Sequence, residues 1–264
     1  MDYPVVGKPS ISQMKVKPNL TNYEELRKTF TWDQMYGELD WLADGYLNKA
    51  HECIDRHANG ANAGKPALLW EGKNGEEETY TFADLKRETN RFANALHRLG
   101  VVKGDRVFLF MERVPELYIA VFGILKAGAV AGPLFSAFGP EPVRDRLLDS
   151  GAKVLVTTPE LRKRIAGVLP DLKDLEHVIT VNKLGRDKTP PAEGDLKYED
   201  LMAEASPEFE IEPTSMYDYS IMHYTSGTTG KPKGAVHRHL ALVQQYATGK
   251  WVLDLHEDDI YWCT

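Results

Sequence analysis

The sequence predicts an α/β fold built on a doubly wound, mainly parallel sheet with flanking helices. Three observations predict it. Segments such as Arg106–Met111 (RVFLFM) are nearly continuous apolar runs, as expected of strands covered on both faces. These runs alternate with helical segments, the pattern that crossover connections produce. The 264 residues are 42% hydrophobic and 27% charged, enough to bury a sizeable core and too apolar for a disordered chain.

Taken in order, residues 1–65 read as a helical, loop-rich extension. Asn22 and Thr31 are placed to cap short helices, and Leu47, Ala50, Ile54 and His57 form a helical stripe before the breaker NGANAG at 59–64. Residues 66–181 form a first α/β subdomain. It opens with a hairpin, Ala67–Glu71 and Glu78–Phe82, joined across Gly72 and Gly75. The clearest helix follows, with Thr81 and Asp84 as a capping box, an apolar stripe from Phe82 to Leu99, and Gly100 as its stop. Strand Arg106–Met111, helix Pro115–Lys126, strand Val130–Phe135, helix Pro140–Asp149, strand Lys153–Thr157, helix Glu160–Val168 and strand His177–Val181 complete the alternation. Residues 182–218 read as a surface connection with a short helix at Glu199–Ala205. Residues 219–264 begin a second α/β subdomain with the apolar strand Tyr219–Thr225 and end on Ile260-Tyr-Trp-Cys-Thr264, which reads as the start of a buried strand.

Composition excludes several classes of function. A net charge of −7 argues against nucleic acid, which needs clustered basic charge. Cys53 and Cys263, the two cysteines, are too few for a disulfide scaffold; with no apolar leader at the start, they indicate a reducing, cytoplasmic setting. Leu117–Phe135 has one charge, Lys126, but glycines and Pro133 break it into helix, turn and strand rather than a membrane span.

The chemistry concentrates after strand Tyr219–Thr225, in Ser226-Gly-Thr-Thr-Gly-Lys-Pro-Lys-Gly234. Glycines let backbone N–H groups turn toward an oxyanion. Ser226, Thr228 and Thr229 add hydroxyl donors, and Lys231 and Lys233 add neutralising charge. At the carboxyl end of a parallel strand, such a loop lies where open α/β sheets bind ligands, and a polyphosphate suits it. It is not a Walker A loop, because Pro232 stands five residues after Gly227 and Ala235 five after Gly230. No G-x-G-x-x-G accompanies it.

The run Thr225–Gly234 (TSGTTGKPKG) resembles the phosphate-loop signature of the adenylate-forming enzymes at every specified position. KGDRVFLFMERVPELYIAVFGILKAGAVAGPLF (103–135) is similar to that superfamily's strand–helix–strand unit, and YTFADLKRETNRFANALHRLGV (80–101) to the helix before it. LNKAHECIDRHA (47–58) and the ending from Asp259 look like the acetyl-CoA synthetase branch. The resemblance implies the incomplete large N-terminal domain of that fold, from an AMP-forming ligase that joins a short carboxylic acid, acetate first among them, to coenzyme A using ATP and Mg²⁺. It implies that Thr225, Ser226, Gly227, Thr228, Thr229, Gly230, Lys231, Lys233 and Gly234 hold the ATP phosphates, with Lys231 at the variable position. It also brings Arg162 and Arg164 near the nucleotide phosphates of coenzyme A. Phe135-Ser-Ala-Phe-Gly139 departs from the family, where a glycine pair often follows the phenylalanine.

The superfamily's acyl pocket, acidic metal ligand and catalytic lysine match nothing here, so no catalytic or metal-binding residue is assigned and the chain reads as inactive without a C-terminal remainder. A medium-chain or aromatic acyl-CoA synthetase stays open as an alternative, as does a non-catalytic nucleotide-binding module. His237 and His239, two residues apart, suggest zinc only weakly, since no cysteine or carboxylate stands beside them. Cys263 reads as an ordinary apolar cysteine.

Overall fold

The computed structural model describes residues 7, 9–182, 189–225 and 232–262. In chain order they form helices α1 (Tyr23–Thr29) and α2 (Trp32–Tyr36), then a π-helical turn, His51–Asp55, that runs into α3 (Arg56–Ala58). Strands β1 (Pro66–Glu71) and β2 (Glu77–Thr81) precede α4 (Phe82–Arg98), β3 (Arg106–Phe110), α5 (Pro115–Lys126), β4 (Val130–Leu134) and α6 (Pro140–Ser150). Then come β5 (Val154–Thr157), α7 (Pro159–Arg164), β6 (His177–Thr180), β7 (Leu196–Lys197), α8 (Tyr198–Glu204), β8 (Tyr219–Thr225), β9 (Lys233–Arg238) and α9 (Ala241–Trp251).

The chain divides into two compact units, and Asp40–Leu240 is the larger. Its sheet has the order β7-β6-β5-β3-β4-β8-β9, parallel throughout except for the antiparallel pair β8–β9. Strand β3 is central, and its side chains alternate between two cores. Val107 and Leu109 join Phe92 and Leu96 of α4 and Ile119 and Ile124 of α5. Phe108 and Phe110 join Val143 and Leu147 of α6 and Leu161 of α7. All four β3 residues are fully buried, which is why the segment reads as a continuous apolar run.

This topology fixes where a ligand can sit. From β3 the chain crosses by α5 to β4 on one side, then returns by α6 to β5 on the other side of β3. Right-handed crossovers in opposite directions lie on opposite faces. The loops leaving β3 and β4 therefore run to opposite faces at the carboxyl edge, the edge at which open α/β sheets bind ligands.

Local chemistry sets the element ends. The capping box of α4 is present: the Asp84 N–H donates to Thr81 Oγ1 at 3.1 Å and the Thr81 N–H to Asp84 Oδ2 at 3.0 Å. Gly100, at φ +76°, ends that helix in the left-handed region. Lys126, the lone charge in the apolar run, is fully buried. Its Nζ lies 2.7 Å from Asp55 Oδ2 and 2.6 Å from Asn90 Oδ1. Burial lowers its pKa to about 8 against the pull of Asp55.

The smaller unit, Met1–Leu39 with Ala241–Thr264, has its own contacts. Asn22 Oδ1 accepts the Glu25 N–H at the start of α1. Glu38 takes Lys250 Nζ at 2.8 Å and Tyr246 Oη at 3.1 Å, and the Phe30 ring meets Trp32 and Trp251 edge-on.

Four expectations need correction. Of the expected closing strand, Ile260, Tyr261 and Trp262 form no strand and are exposed, with no strand beside them among the described residues; Cys263 and Thr264 lie outside those residues. Helix α7 stops at Arg164, short of Val168, with Gly167 and Pro170 just beyond. Strand β7 lies within the stretch read as a surface connection; at two residues it is too short to leave a pattern. Strand β9 was also missed, because KGAVHR is exposed throughout and so has no apolar alternation. Among the described residues no helix is long and apolar enough to cross a membrane.

One glycine tests the core. Gly132 lies opposite Phe108, and a Cβ there would sit 2.5 Å from three atoms of the buried Phe108 ring. Gly132→Ala is expected to destabilise the chain by about 1–3 kcal/mol through overpacking. Urea unfolding measures it, and an unchanged midpoint would contradict the close approach.

Candidate functional site

Strand β8 pairs in parallel with β4 through Ala131 and Ile221, so its last residue, Thr225, reaches the carboxyl edge beside the end of β4. The chain then returns antiparallel, with Thr225 opposite Lys233 and Tyr224 opposite Gly234. Ser226, Gly227, Thr228, Thr229, Gly230 and Lys231 lie outside the described residues. Of the remaining expected phosphate-binding residues, Thr225, Lys233 and Gly234 are exposed at the mouth of this hairpin. The element that follows the segment is a strand, β9.

The hairpin is pinned from below. The Ser220 hydroxyl donates to the His237 carbonyl at 2.8 Å. Just past β9, the buried His239 ring accepts the Lys49 N–H on Nδ1 at 3.0 Å, joining the strand's end to the helical turn before α3. Burial, with the Lys49 charge second, pushes the His239 pKa down to about 3. Burial likewise lowers Lys49 to about 8. His237 and His239 therefore form no chelating pair, since one is exposed on β9 and the other is enclosed. Among the described residues, no three His, Cys, Asp or Glu side chains gather where a metal ion could be held. Cys263 lies outside those residues.

Arg162 and Arg164 both stand on α7 but differ in environment. Arg162 Nε is 2.9 Å from Oδ2 of the buried Asp195. Arg164 is exposed, and its Nη1 donates to the Ser136 carbonyl at 2.7 Å, holding the loop that leaves β4. A pocket of about 260 Å³ borders Arg162 and Lys163, closed by Thr189–Ala192. Elsewhere along the carboxyl edge, Trp70, Glu112, Arg113, Thr158, Glu160 and Asn182 line a cleft of about 450 Å³.

The family described as AMP-binding enzyme matches residues 54–264. The chain belongs to the AMP-binding enzyme family. It is 47% identical over 247 residues to an acetyl-coenzyme A synthetase of Bacillus subtilis (strain 168), covering 93% of this chain and 42% of that protein. It is 38% identical over 255 residues to the acetyl-coenzyme A synthetase of Rubrobacter xylanophilus, covering 92% of this chain and 39% of that protein. The crystal structure of Brucella canis acyl-CoA synthetase superposes with a TM-score of 0.81 at 32% identity, over 90% of this chain and 42% of that one. An anthranilate CoA ligase solved with anthranoyl-AMP follows at 0.65 and 30%, over 74% of this chain and 35% of that one. The chain thus spans about two fifths of the length of the curated relatives it matches.

In this member of the family, the residues that support the hairpin carry no sequence signal of their own. Tyr224, Arg146, Asp149 and Phe138 converge beneath it, although the single local cue is that Tyr224 precedes Thr225.

The His239 contact sets a pH dependence. Unfolded, a histidine takes up its proton near pH 6.5; enclosed, His239 does so only near 3. Between those values the unfolded chain binds more protons, so the stability present above pH 6.5 is lost as pH falls through the window. The urea midpoint is expected to drop between pH 7 and pH 5, and His239→Gln, which still accepts the Lys49 N–H, to flatten that dependence. Parallel pH profiles for the two chains would refute it.

Proposed function

We propose that this chain is the ATP-gripping part of an acyl-CoA ligase that activates a short carboxylic acid, acetate in the first instance. One observation carries the reading: in a chain of the AMP-binding enzyme family, the ten residues Thr225–Gly234 connect β8 to β9, with Thr225 and Lys233 paired at the carboxyl edge beside β4. The 47% identity to an acetyl-coenzyme A synthetase supports the choice of acid.

The first step joins a carboxylate oxygen to the α-phosphorus of ATP and breaks the bond from that phosphorus to the bridging oxygen, releasing pyrophosphate and leaving an acyl-adenylate. In the second, the sulfur of coenzyme A attacks the acyl carbon and AMP departs with its electron pair. The chain's part is to position and neutralise the departing phosphates. Thr225, the hydroxyls and amides of Ser226–Thr229, and Gly230 would line the oxyanions. Lys233 would pair with their charge from the first position of β9, Lys231 from the variable position, and Gly234 would keep side-chain bulk away. Among the described residues no three His, Cys, Asp or Glu side chains gather to hold a metal; bound with ATP, Mg²⁺ would supply charge neutralisation at the departing phosphates.

Coenzyme A would lie along the loop after β4. The exposed Arg164 is the better placed cation for its phosphates, because the charge of Arg162 is already matched by Asp195. Completing the reaction requires the remainder of a protein of the relatives' length, working in the cytoplasm. A larger or aromatic acid is a second reading, favoured by the likeness to the anthranilate CoA ligase.

Acid-dependent exchange of labelled pyrophosphate into ATP tests the proposal. Exchange with acetate is expected in a protein extended to the relatives' length and not in the 264-residue chain. ATP binding without exchange in the extended protein would instead mark a nucleotide-binding module. Lys233→Ala is expected to slow exchange on the order of 10²-fold, as for loss of one charge-stabilising donor. Thioester formation from preformed acyl-adenylate should suffer far less, and equal loss in both steps would overturn the assignment.

A further inference from the structure

We propose that Arg146 is a positioning residue: stacked between Phe138 and Tyr224, it ties the loop leaving β4 to the strand that carries the phosphate-binding segment, so that the two substrate contacts hold a common geometry. The inference rests on the function proposed above and deepens it.

Arg146 and Asp149 stand three residues apart on α6 and so share a face. Asp149 Oδ2 accepts from the Tyr224 hydroxyl at 2.7 Å. The Arg146 guanidinium carbon lies 5.6 Å from the centre of the Tyr224 ring and 4.4 Å from that of Phe138. Both ends of this stack continue. Phe138 meets Phe135 edge-on at 5.7 Å, and Tyr224 leans on Phe108, the ring that crosses Gly132. Arg164 grips the same loop through the Ser136 carbonyl. One continuous set of contacts therefore runs from the proposed coenzyme A loop to the residue before Thr225.

Energetics separate positioning from simple stabilisation. Arg146 is 8% exposed, yet no ion pair joins it among the described residues. Its Nη1 donates to the Pro142 carbonyl at 2.7 Å, while Nε is buried without a hydrogen-bond partner. A buried cation without a carboxylate is a poor stabiliser, and an apolar side chain of similar length would cost less. What a guanidinium supplies instead is a flat cation that two rings can hold at once, which lysine cannot reproduce.

The test uses the protein extended to the relatives' length, with Arg146→Met and Arg146→Lys. Arg146→Met is expected to unfold at the same or a higher urea concentration. The KM values for ATP in pyrophosphate exchange and for coenzyme A in thioester formation should both rise roughly tenfold, as for a small misplacement, with kcat at saturation little changed. Arg146→Lys, which keeps charge but not planarity, should resemble Arg146→Met and fold if that variant does not. Unchanged KM values, or a rise in only one, overturn the inference. A parent protein without exchange condemns the function instead. In that case a substrate-free cycle decides: Phe138→Leu and Tyr224→Leu should shift the unfolding midpoint non-additively with Arg146 present and additively with Met in its place. Additivity in both backgrounds overturns the inference.

Discussion

The double burial of β3 is the constraint on which the rest of the structure depends. Four consecutive residues, Val107 to Phe110, are inaccessible to water, two on each face. Helices must then cover both faces, so the crossovers after β3 and β4 take opposite sides. That divergence sends the loops leaving β3 and β4 to opposite faces of the sheet at the carboxyl edge. Phe108 adds a local condition. Its ring occupies the space a side chain at position 132 would need, so β4 can lie beside β3 in this register only with glycine there. Strand β8 lies on the other side of β4, paired through Ala131 and Ile221, which carries Thr225 to the edge.

How much of this the sequence reveals depends on how local each signal is. The bounds of α5 and β8 and the caps of α4 are legible because proline, hydroxyl and apolar spacing act within a few residues of one another. Strand β9 is illegible for the opposite reason: its order comes from pairing with β8, while its own side chains stay in solvent. The exposed run Ile260–Trp262 shows the converse error, since apolar residues form a strand only where a partner offers hydrogen bonds.

The candidate site divides along the same line. The segment proposed to bind phosphates is legible in ten consecutive residues, because an oxyanion demands glycine, hydroxyl and lysine at close spacing. Its support is not. Asp195 against Arg162, Lys49 against His239 and Arg146 against Tyr224 are separated by 33, 190 and 78 residues. None carries a periodic mark. The family resemblance brings Arg162 and Arg164 forward together, whereas the structure gives one a buried carboxylate and leaves the other exposed beside Ser136.

Lys126 and Arg146 are both buried in this unit, as is Lys49, and the contrast between the first two bears on what each is for. Lys126 meets a carboxylate at 2.7 Å and an amide oxygen at 2.6 Å, and joins the helical turn before α3 to α4 and α5. Removing it would strand Asp55, so its role is complete within the fold. Arg146 has no such partner and lies between aromatic rings from two separate segments, both leading to the carboxyl edge. A fold that needed only stability at that position would be served as well by methionine or leucine. The guanidinium is better accounted for by what it holds in register than by what it buries.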